Sequence, residues 1–500
     1  MATDVVAEGQ MAPDTSGIGG HPAGLTTLFF TEMWERFSYY GMRGLLVLFL
    51  KASIEDGGFA LSAVTATAIY GLYTSSVYLI GLPGGWIADR ILGYRRAVFL
   101  GGVIIAAGHF SMALGWVVSF YLGLVLIVIG TGLLKPNVSA IVGDLYPEGG
   151  ARRDAGFSVF YMGINLGAFI GPLLCGYLGE KVNWHLGFAA AGVGMVFGLI
   201  QYRLGLKRLG TAGTRDIDPE ERGRAVRMLL SGIGLVVLIG VVLWVLNSKG
   251  TVSLSPKSVA ESMGYVIAAL AVAYFGYQLI FGGFNATEKK RIVVILVLFI
   301  AATMFWCGFE QAGSSMNLFA KDHTNRIFFG SEMPASWLQS VNALMIICLA
   351  PVFGSLWLKL GKHQPSLPAK FALGLIQLGV GFAVLAWASV YAGSENDPHK
   401  VSAAWLIATY FFHTTGELCL SPVGLSAMTK LSPAKLVGQM MGIWFLATSF
   451  GNLMAGLLAG KMESMGLVQL FSAVAMWTAA LGIVLLLISR PIKRLMGGVE

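Results

Sequence analysis

Charge is what this sequence has least of. Only 12% of its 500 residues are Asp, Glu, Lys or Arg, while 56% are hydrophobic. A soluble chain carries about 25% charged residues, so this composition excludes an ordinary soluble globule. No polar block is long enough for a soluble domain either, which leaves no place in this sequence for an attached ATP motor. Cysteine is scarce. Cys175, Cys307, Cys348 and Cys419 all lie inside apolar segments at unrelated spacings, which excludes a disulfide framework and a zinc pattern. Neither His-Glu-x-x-His nor Gly-x-Ser-x-Gly occurs, which argues against an intramembrane enzyme. The net charge of +8 lies in short loops rather than in a basic domain, so nucleic acid is not the expected partner. No basic stretch followed by a short apolar run precedes the first long apolar segment. Residues 1–24 therefore read as a disordered tail and not as a signal peptide.

What is present in abundance is apolar length. Segments near 25–51, 61–88, 96–116, 119–142, 155–179, 184–206, 226–247, 259–283, 291–320, 335–360, 367–392, 401–430, 435–461 and 466–489 each approach or exceed the roughly 20 residues that span a bilayer. The sequence predicts an all-α polytopic membrane protein with fourteen transmembrane helices, and 66 glycines fit closely packed membrane helices. Lys and Arg favour one set of short loops, with Arg90, Arg95, Arg96, Arg152 and Arg153 among them. The positive-inside bias puts both termini in the cytoplasm, and an even helix count agrees with that. A polar linker at 207–225 separates six segments from the rest. The expected layout is a tail over 1–24, a six-helix bundle over 25–206, a linker and inserted helical hairpin over 207–289, a second six-helix bundle over 290–489 and a tail over 490–500. Lipid is the surrounding partner. The loop Gly84–Arg96, with Asp89, Arg90, Arg95 and Arg96, resembles a major facilitator superfamily signature, with one residue inserted before Gly93. It is expected to latch helix ends together until the bundles rock.

Charges at bilayer depth are costly and normally face a cavity or partner. The first segment holds several. On a helix, Glu32, Glu35, Arg36, Tyr39 and Arg43 fall within an arc of roughly 100°, opposite Met33, Trp34, Phe37 and Leu45. A single Glu–Arg pair would read as a packing lock, but four charges on one stripe indicate a functional cavity. Lys135 lies in the fourth segment, Glu310 and Gln311 in the ninth, and His413, Glu417 and Ser421 share one face of the twelfth, where Gly416 and Pro422 permit a break. The buried set then holds the cations Arg36, Arg43 and Lys135 against the carboxylates Glu32, Glu35, Glu310 and Glu417. One carboxylate is left over. It must take up a proton or pair with an outside cation, and the two options compete as proton-coupled transport requires.

A cavity with cations on one bundle and a carboxylate on the other suits a zwitterion with separated ends, because arginine can clamp a carboxylate with two hydrogen bonds. Asn165 and Asn342 could position it, although an interhelical hydrogen bond is the plainer role for each. Tyr39, Tyr40, Tyr73, Tyr78 and Trp444 could line the space or simply pack. His109 reads as structural, and His413 stays open.

These residues also resemble a family. Glu32-x-x-Glu35-Arg36 with Tyr39-Tyr40-x-x-Arg43, Leu133-Leu134-Lys135-Pro136-Asn137, Phe157–Gly167, Glu310-Gln311 and Gly416-Glu417 are together similar to the motifs of the proton-dependent oligopeptide transporters of the major facilitator superfamily, in the bacterial layout. The resemblance covers nearly the whole chain. It implies a major facilitator fold of two six-helix bundles with an inserted two-helix hairpin. It also implies proton-coupled import of di- and tripeptides by alternating access, in an inner or plasma membrane, by a chain that functions as a monomer. Protons are the coupling ion and no other cofactor is implied. Arg36 and Lys135 would face the peptide carboxylate, and Asn165, Asn342 and Glu417 its amine. Tyr40, Tyr78, Ser421 and Trp444 would line side-chain pockets. Proton coupling would fall to Glu32, Glu35, Arg36, Arg43 and Glu310, with Arg43 as the partner of Glu310. His413 departs from an aromatic residue found in some relatives. The family also holds nitrate and glucoside carriers, from which the Glu-x-x-Glu-Arg motif sets this chain apart. A proton-coupled drug antiporter and a non-transporting peptide sensor are the alternatives. The three cations fit the antiporter poorly.

Overall fold

The computed structural model describes residues 14–393 and 399–498, and among these the chain is a packed set of long helices. Those of seventeen residues or more are α1 (Ala23–Lys51), α2 (Ala63–Leu79), α3 (Tyr94–Ala113), α4 (Val117–Asp144), α5 (Gly150–Tyr177), α6 (Trp184–Gly205), α7 (Pro219–Ser248), α8 (Pro256–Phe281), α9 (Ala286–Phe309), α10 (Ser340–Leu360), α11 (Leu367–Tyr391), α12 (Ala404–Leu431), α13 (Val437–Ala459) and α14 (Leu467–Leu487). Twelve helical stretches are long and apolar enough to cross a membrane. The exceptions, α1 and α12, carry central ionisable groups. Two short pairings add the only strands among the described residues: β1 (Thr324–Asn325) beside β4 (Val401–Ser402), and a hairpin of β2 (Ile327–Phe328) and β3 (Ser331–Glu332).

Helix starts follow their side chains. Asp218 and Asn285 cap α7 and α9, and Glu288 closes a capping box on Asn285. Glycine sets how closely helices approach. A Cβ on Gly101 would lie 2.6 Å from the Gly130 carbonyl oxygen, and one on Gly456 would lie 2.6 Å from the Gly71 Cα. These positions let α3 meet α4 and α13 meet α2 backbone to backbone.

The expected segments and the helices overlap one for one, with several corrections; the 61–88 segment, for instance, is divided into α2 and a short helix at Gly81–Ile87. The segment expected at 291–320 is broken. After α9 the chain makes a 3-10 turn at Glu310–Gly313, passes through Ser314 in a non-helical conformation (φ −124°, ψ −99°), and resumes at Ser315–Asp322. The break that Gly416 and Pro422 would permit is not made, and α12 runs through both. A proline removes one helical donor, and packed neighbours hold the turn. The 1–24 tail lies partly outside the described residues. Its described part is fastened rather than loose. The Asp14 carboxylate accepts hydrogen bonds from Ser16 N–H, Ser16 Oγ and Ala23 N–H, and α1 begins at Ala23. The Ser16 bonds, side chain first, hold the Asp14 carboxyl down at about 2.

Among the described residues, the Asp89 loop, expected to latch helix ends, is tied to the polar linker and the start of α7. Arg90 pairs with Glu221, Asp89 lies 3.9 Å from Arg215, and Arg95 donates to the carbonyls of Gly210 and Ala212. The arginines strap the linker against the first six helices. The hairpin of α7 and α8 is peripheral. Ala225 is the one buried residue of α7, while α8 packs Ala260 and Ile267 against Ala68 of α2 and Leu453 of α13.

Candidate functional site

The side chains on α1 that face the interior form a stripe spaced by helical turns. Glu32, Arg36, Tyr40 and Arg43 line a cavity of about 190 Å³ with Tyr78, Lys135 and Asn165 from the same half. Trp306, Phe309, Glu310, Gln339, Asn342, His413 and Glu417 face them from the other half. This volume lies below the roughly 300–1,000 Å³ of sites for drug-sized ligands, so the site in this state suits a small solute.

The ion pairs divide the charges unevenly. Arg36 takes two carboxylates: Glu32 at 3.3 Å and Glu35, to which it also donates hydrogen bonds. Arg43 lies 2.8 Å from Glu310, and its Nε donates to the Tyr70 hydroxyl at 2.7 Å. The carboxylate and guanidinium of that pair meet off the hydrogen-bond line, since Glu310 Oε2 has no hydrogen-bond partner among the described residues. All five groups are at least 96% buried. Among the described residues, Lys135 and Glu417 enter no ion pair. The Lys135 ammonium lies over the Tyr78 ring, 4.3 Å from its centre. Glu417 accepts one hydrogen bond from Asn342 Nδ2 at 3.3 Å, and Asn342 also donates to Thr414. The sequence count left one carboxylate over. The geometry leaves one carboxylate and one cation, on opposite walls.

Several expected site residues are elsewhere. Glu35 stands behind Arg36 and does not line the cavity. Ser421 and Trp444 do not line it either. Trp444 is buried against Phe371 and over Gly424, with no room there for a Cβ. Ser421 lies one turn beyond Glu417, with its Oγ buried and without a hydrogen-bond partner among the described residues. Tyr39 turns from the cavity to stack on Tyr73, so of these two neighbours Tyr40 is the one that lines it. Asn165 lines the cavity and also donates back to the Tyr161 carbonyl. Sequence reasoning missed Trp306, Phe309 and Gln339, although Trp306 and Phe309 flank the Glu310 turn it had singled out. His413, left open, lines the cavity between Phe309 and Phe382. His109, read as structural, is fully buried in α3, away from the cavity lining.

One end of the interface between the halves is closed above the cavity. The Glu180 carboxylate accepts from Ala335 N–H at 2.9 Å, Ser336 N–H at 2.9 Å and Ser336 Oγ at 2.6 Å. Trp337 donates to the Leu173 carbonyl, Ser340 to Phe169 and Asn317 to Gly44, while Lys181 pairs with Glu332.

Comparison with known proteins gives a consistent result. The chain is 44% identical over 496 residues to a peptide transporter of Yersinia enterocolitica, with 96% of each chain covered. It is 36% identical over 489 residues to a di-/tripeptide transporter of Lactococcus lactis, covering 96% of this chain and 98% of the relative. A crystal structure of a POT peptide transporter with sulfate superposes at a TM-score of 0.90 and 42% identity, over 97% of this chain and 98% of that one. A POT family transporter bound to 5-aminolevulinic acid superposes at 0.88 and 35% identity, over 96% and 98%. These relatives are transporters, not enzymes. The POT family model matches residues 95–474, and the chain belongs to that family of multi-pass membrane transporters.

Proposed function

We propose that this protein is a peptide:proton symporter that imports di- and tripeptides by alternating access. The observation that carries the reading is the pair of unmatched charges in one cavity, Lys135 on one half and Glu417 on the other. A peptide zwitterion supplies the two missing partners at its two ends. Its carboxylate meets Lys135 and Arg36, and its amine meets Glu417, Asn342 and Asn165. Tyr40 and Tyr78 flank the backbone between them.

Coupling follows from competition for the same carboxylates. Arg36 is shared between Glu32 and Glu35, so a peptide carboxylate that draws Arg36 away leaves a buried carboxylate without its cation. That carboxylate takes up a proton. Arg43–Glu310 joins the two halves beneath the closed end, and protonation of Glu310 removes that tie. A peptide zwitterion is neutral overall, so the proton carries the charge. Each proton then contributes about 2.3 kcal/mol per 100 mV.

The architecture that goes with this reading has bundles over 25–206 and 290–489, the 207–289 hairpin beside them, fourteen spans and both termini in the cytoplasm. It is the major facilitator arrangement in a plasma or inner membrane, with a single chain as the working unit. In that orientation the closed end faces outward and the cavity awaits release to the inside. The test is a comparison of dialanine with its N-acetylated and C-amidated forms as competitors of dialanine uptake. Wild type should reject both. Glu417→Gln should narrow the penalty for acetylation, and Lys135→Gln the penalty for amidation. An unchanged ranking in both variants would remove these residues from end recognition.

A further inference from the structure

Tyr70 on α2 is fully buried and does not line the cavity, yet three elements meet at its hydroxyl. It accepts a hydrogen bond from Arg43 Nε on α1 at 2.7 Å. It donates to the Glu310 carbonyl, at the start of the broken turn after α9, at 3.4 Å. The phenol thus gives its one proton to the second half and takes one bond from the first. The second half is shaped to receive it. A Cβ on Gly313, the last residue of that turn, would collide with the Tyr70 hydroxyl. The direction of the Arg43 guanidinium is set by this phenol rather than by its carboxylate. Arg43 Nη2 lies 2.8 Å from Glu310 Oε2, but that oxygen has no hydrogen-bond partner among the described residues, whereas Nε–H is aimed at Tyr70. Ionic attraction orients a group weakly, while a hydrogen bond weakens steeply off its line.

We propose that Tyr70 is a positioning residue for the proton step and acts through Arg43 and Glu310. While Glu310 is charged, the phenol turns the guanidinium toward it and fastens the broken turn to α2. Once Glu310 is neutral, Nε–H keeps its acceptor. The guanidinium then stays with the first half while the second half loses its ionic tie. Without the hydroxyl, a buried guanidinium would have neither its anion nor its directed acceptor at that moment, and the protonated state of Glu310 would become costly to reach. The inference rests on the symport reading for the meaning of the proton step, but not for the placement of Arg43.

The test uses the full chain in liposomes. Tyr70→Phe removes the hydroxyl and leaves the ring. It should lower the maximal rate of voltage-driven dialanine uptake about tenfold or more, the size of one lost hydrogen bond to a charged group. KM, and exchange of dialanine between equilibrated compartments, should stay near the wild-type values. Added to Glu310→Gln, the change should cost little further uptake. Tyr73→Phe is the control and should keep uptake, because the Tyr73 hydroxyl has no hydrogen-bond partner among the described residues and its ring stacks on Tyr39. Full uptake in Tyr70→Phe overturns the inference. So does equal loss of uptake and exchange, which would make the hydroxyl merely structural. A second measurement needs no transport. Spin labels at Ile54→Cys and Phe329→Cys, both exposed, with Cys348→Ser, should report a longer distance across the closed end in Tyr70→Phe than in the parent, and no change in Tyr73→Phe. An unchanged distance in Tyr70→Phe overturns the inference whatever the cavity carries. Absence of dialanine uptake in the wild type would count against symport alone, and the distance would still decide on Tyr70.

Discussion

Glu180→Ala should open the closed end. The Glu180 carboxylate accepts three hydrogen bonds from Ala335 and Ser336 across the interface between the halves. Hydrogen bonds to a charged group contribute about 1.5–3 kcal/mol each. The group is half-buried, so water replaces part of that when the end opens. A net loss of about 3 kcal/mol is the expected size, which is about 150-fold in the equilibrium between closed and open forms. An open form at about 1% of the population would become the majority. Spin labels at Ile54→Cys and Phe329→Cys report it, because both positions are exposed and lie on opposite halves at that end. Cys348 is exposed and is replaced by Ser first, while Cys175, Cys307 and Cys419 are buried. Pulsed dipolar spectroscopy should show a longer distance in Glu180→Ala than in the parent. Glu180→Gln keeps one carbonyl acceptor and should fall between. An unchanged distance in a folded Glu180→Ala variant would refute the latch.

Other outcomes follow from the same geometry. Glu32→Gln should abolish proton-driven uptake while peptide exchange between equilibrated vesicle compartments persists; loss of both would show damaged binding instead. Glu310→Gln leaves the Arg43 charge without its anion, a change that costs about 3–5 kcal/mol in a buried pair. It should lower the midpoint of thermal unfolding and weaken voltage-driven uptake, and an unaltered midpoint would refute the pairing. Gly167→Ala places a Cβ 2.2 Å from the Met33 carbonyl oxygen, so α1 and α5 must separate, at about 1–3 kcal/mol. The Asp14 clasp has a depressed carboxyl. Its contribution is present above the unfolded carboxyl value near 3.9 and disappears as pH falls toward about 2. Protease access to the segment before Ala23 should rise over that window and stay flat above pH 5.

Much of this was readable in the chain. Length and hydropathy place most of the long helices, α1 and α12 being the exceptions, because a bilayer demands long apolar segments. Glu32, Arg36, Lys135, Glu310 and Glu417 announce themselves because charge at that depth needs a partner. The pairing was harder. Arg36 could be assigned to either carboxylate on α1, and only the fold shows that it takes both, while Lys135 enters no ion pair among the described residues. Tyr39 and Tyr40 are adjacent, and the rotation of about 100° from one helical residue to the next decides which enters the cavity. The Glu180 latch gave no signal, since a lone acid near a helix end looks like any loop charge. Ser421 and Trp444 follow Glu417 by helix period and by resemblance, yet packing against Phe371 and Gly424 holds Trp444 aside. The turn at Glu310–Gly313 is encoded in Gly308, Gly313 and three serines or alanines, a pattern that membrane helices also tolerate unbroken.

The central claim is tested most directly with purified protein in liposomes that contain a trapped pH dye. An inside-negative potential is imposed, and dialanine, alanine, nitrate and a glucoside are added in turn. The account predicts internal acidification with dialanine alone, abolished by Glu32→Gln. Saturable dialanine binding without acidification would contradict it and point to a sensor, and acidification with the other solutes would contradict the peptide assignment.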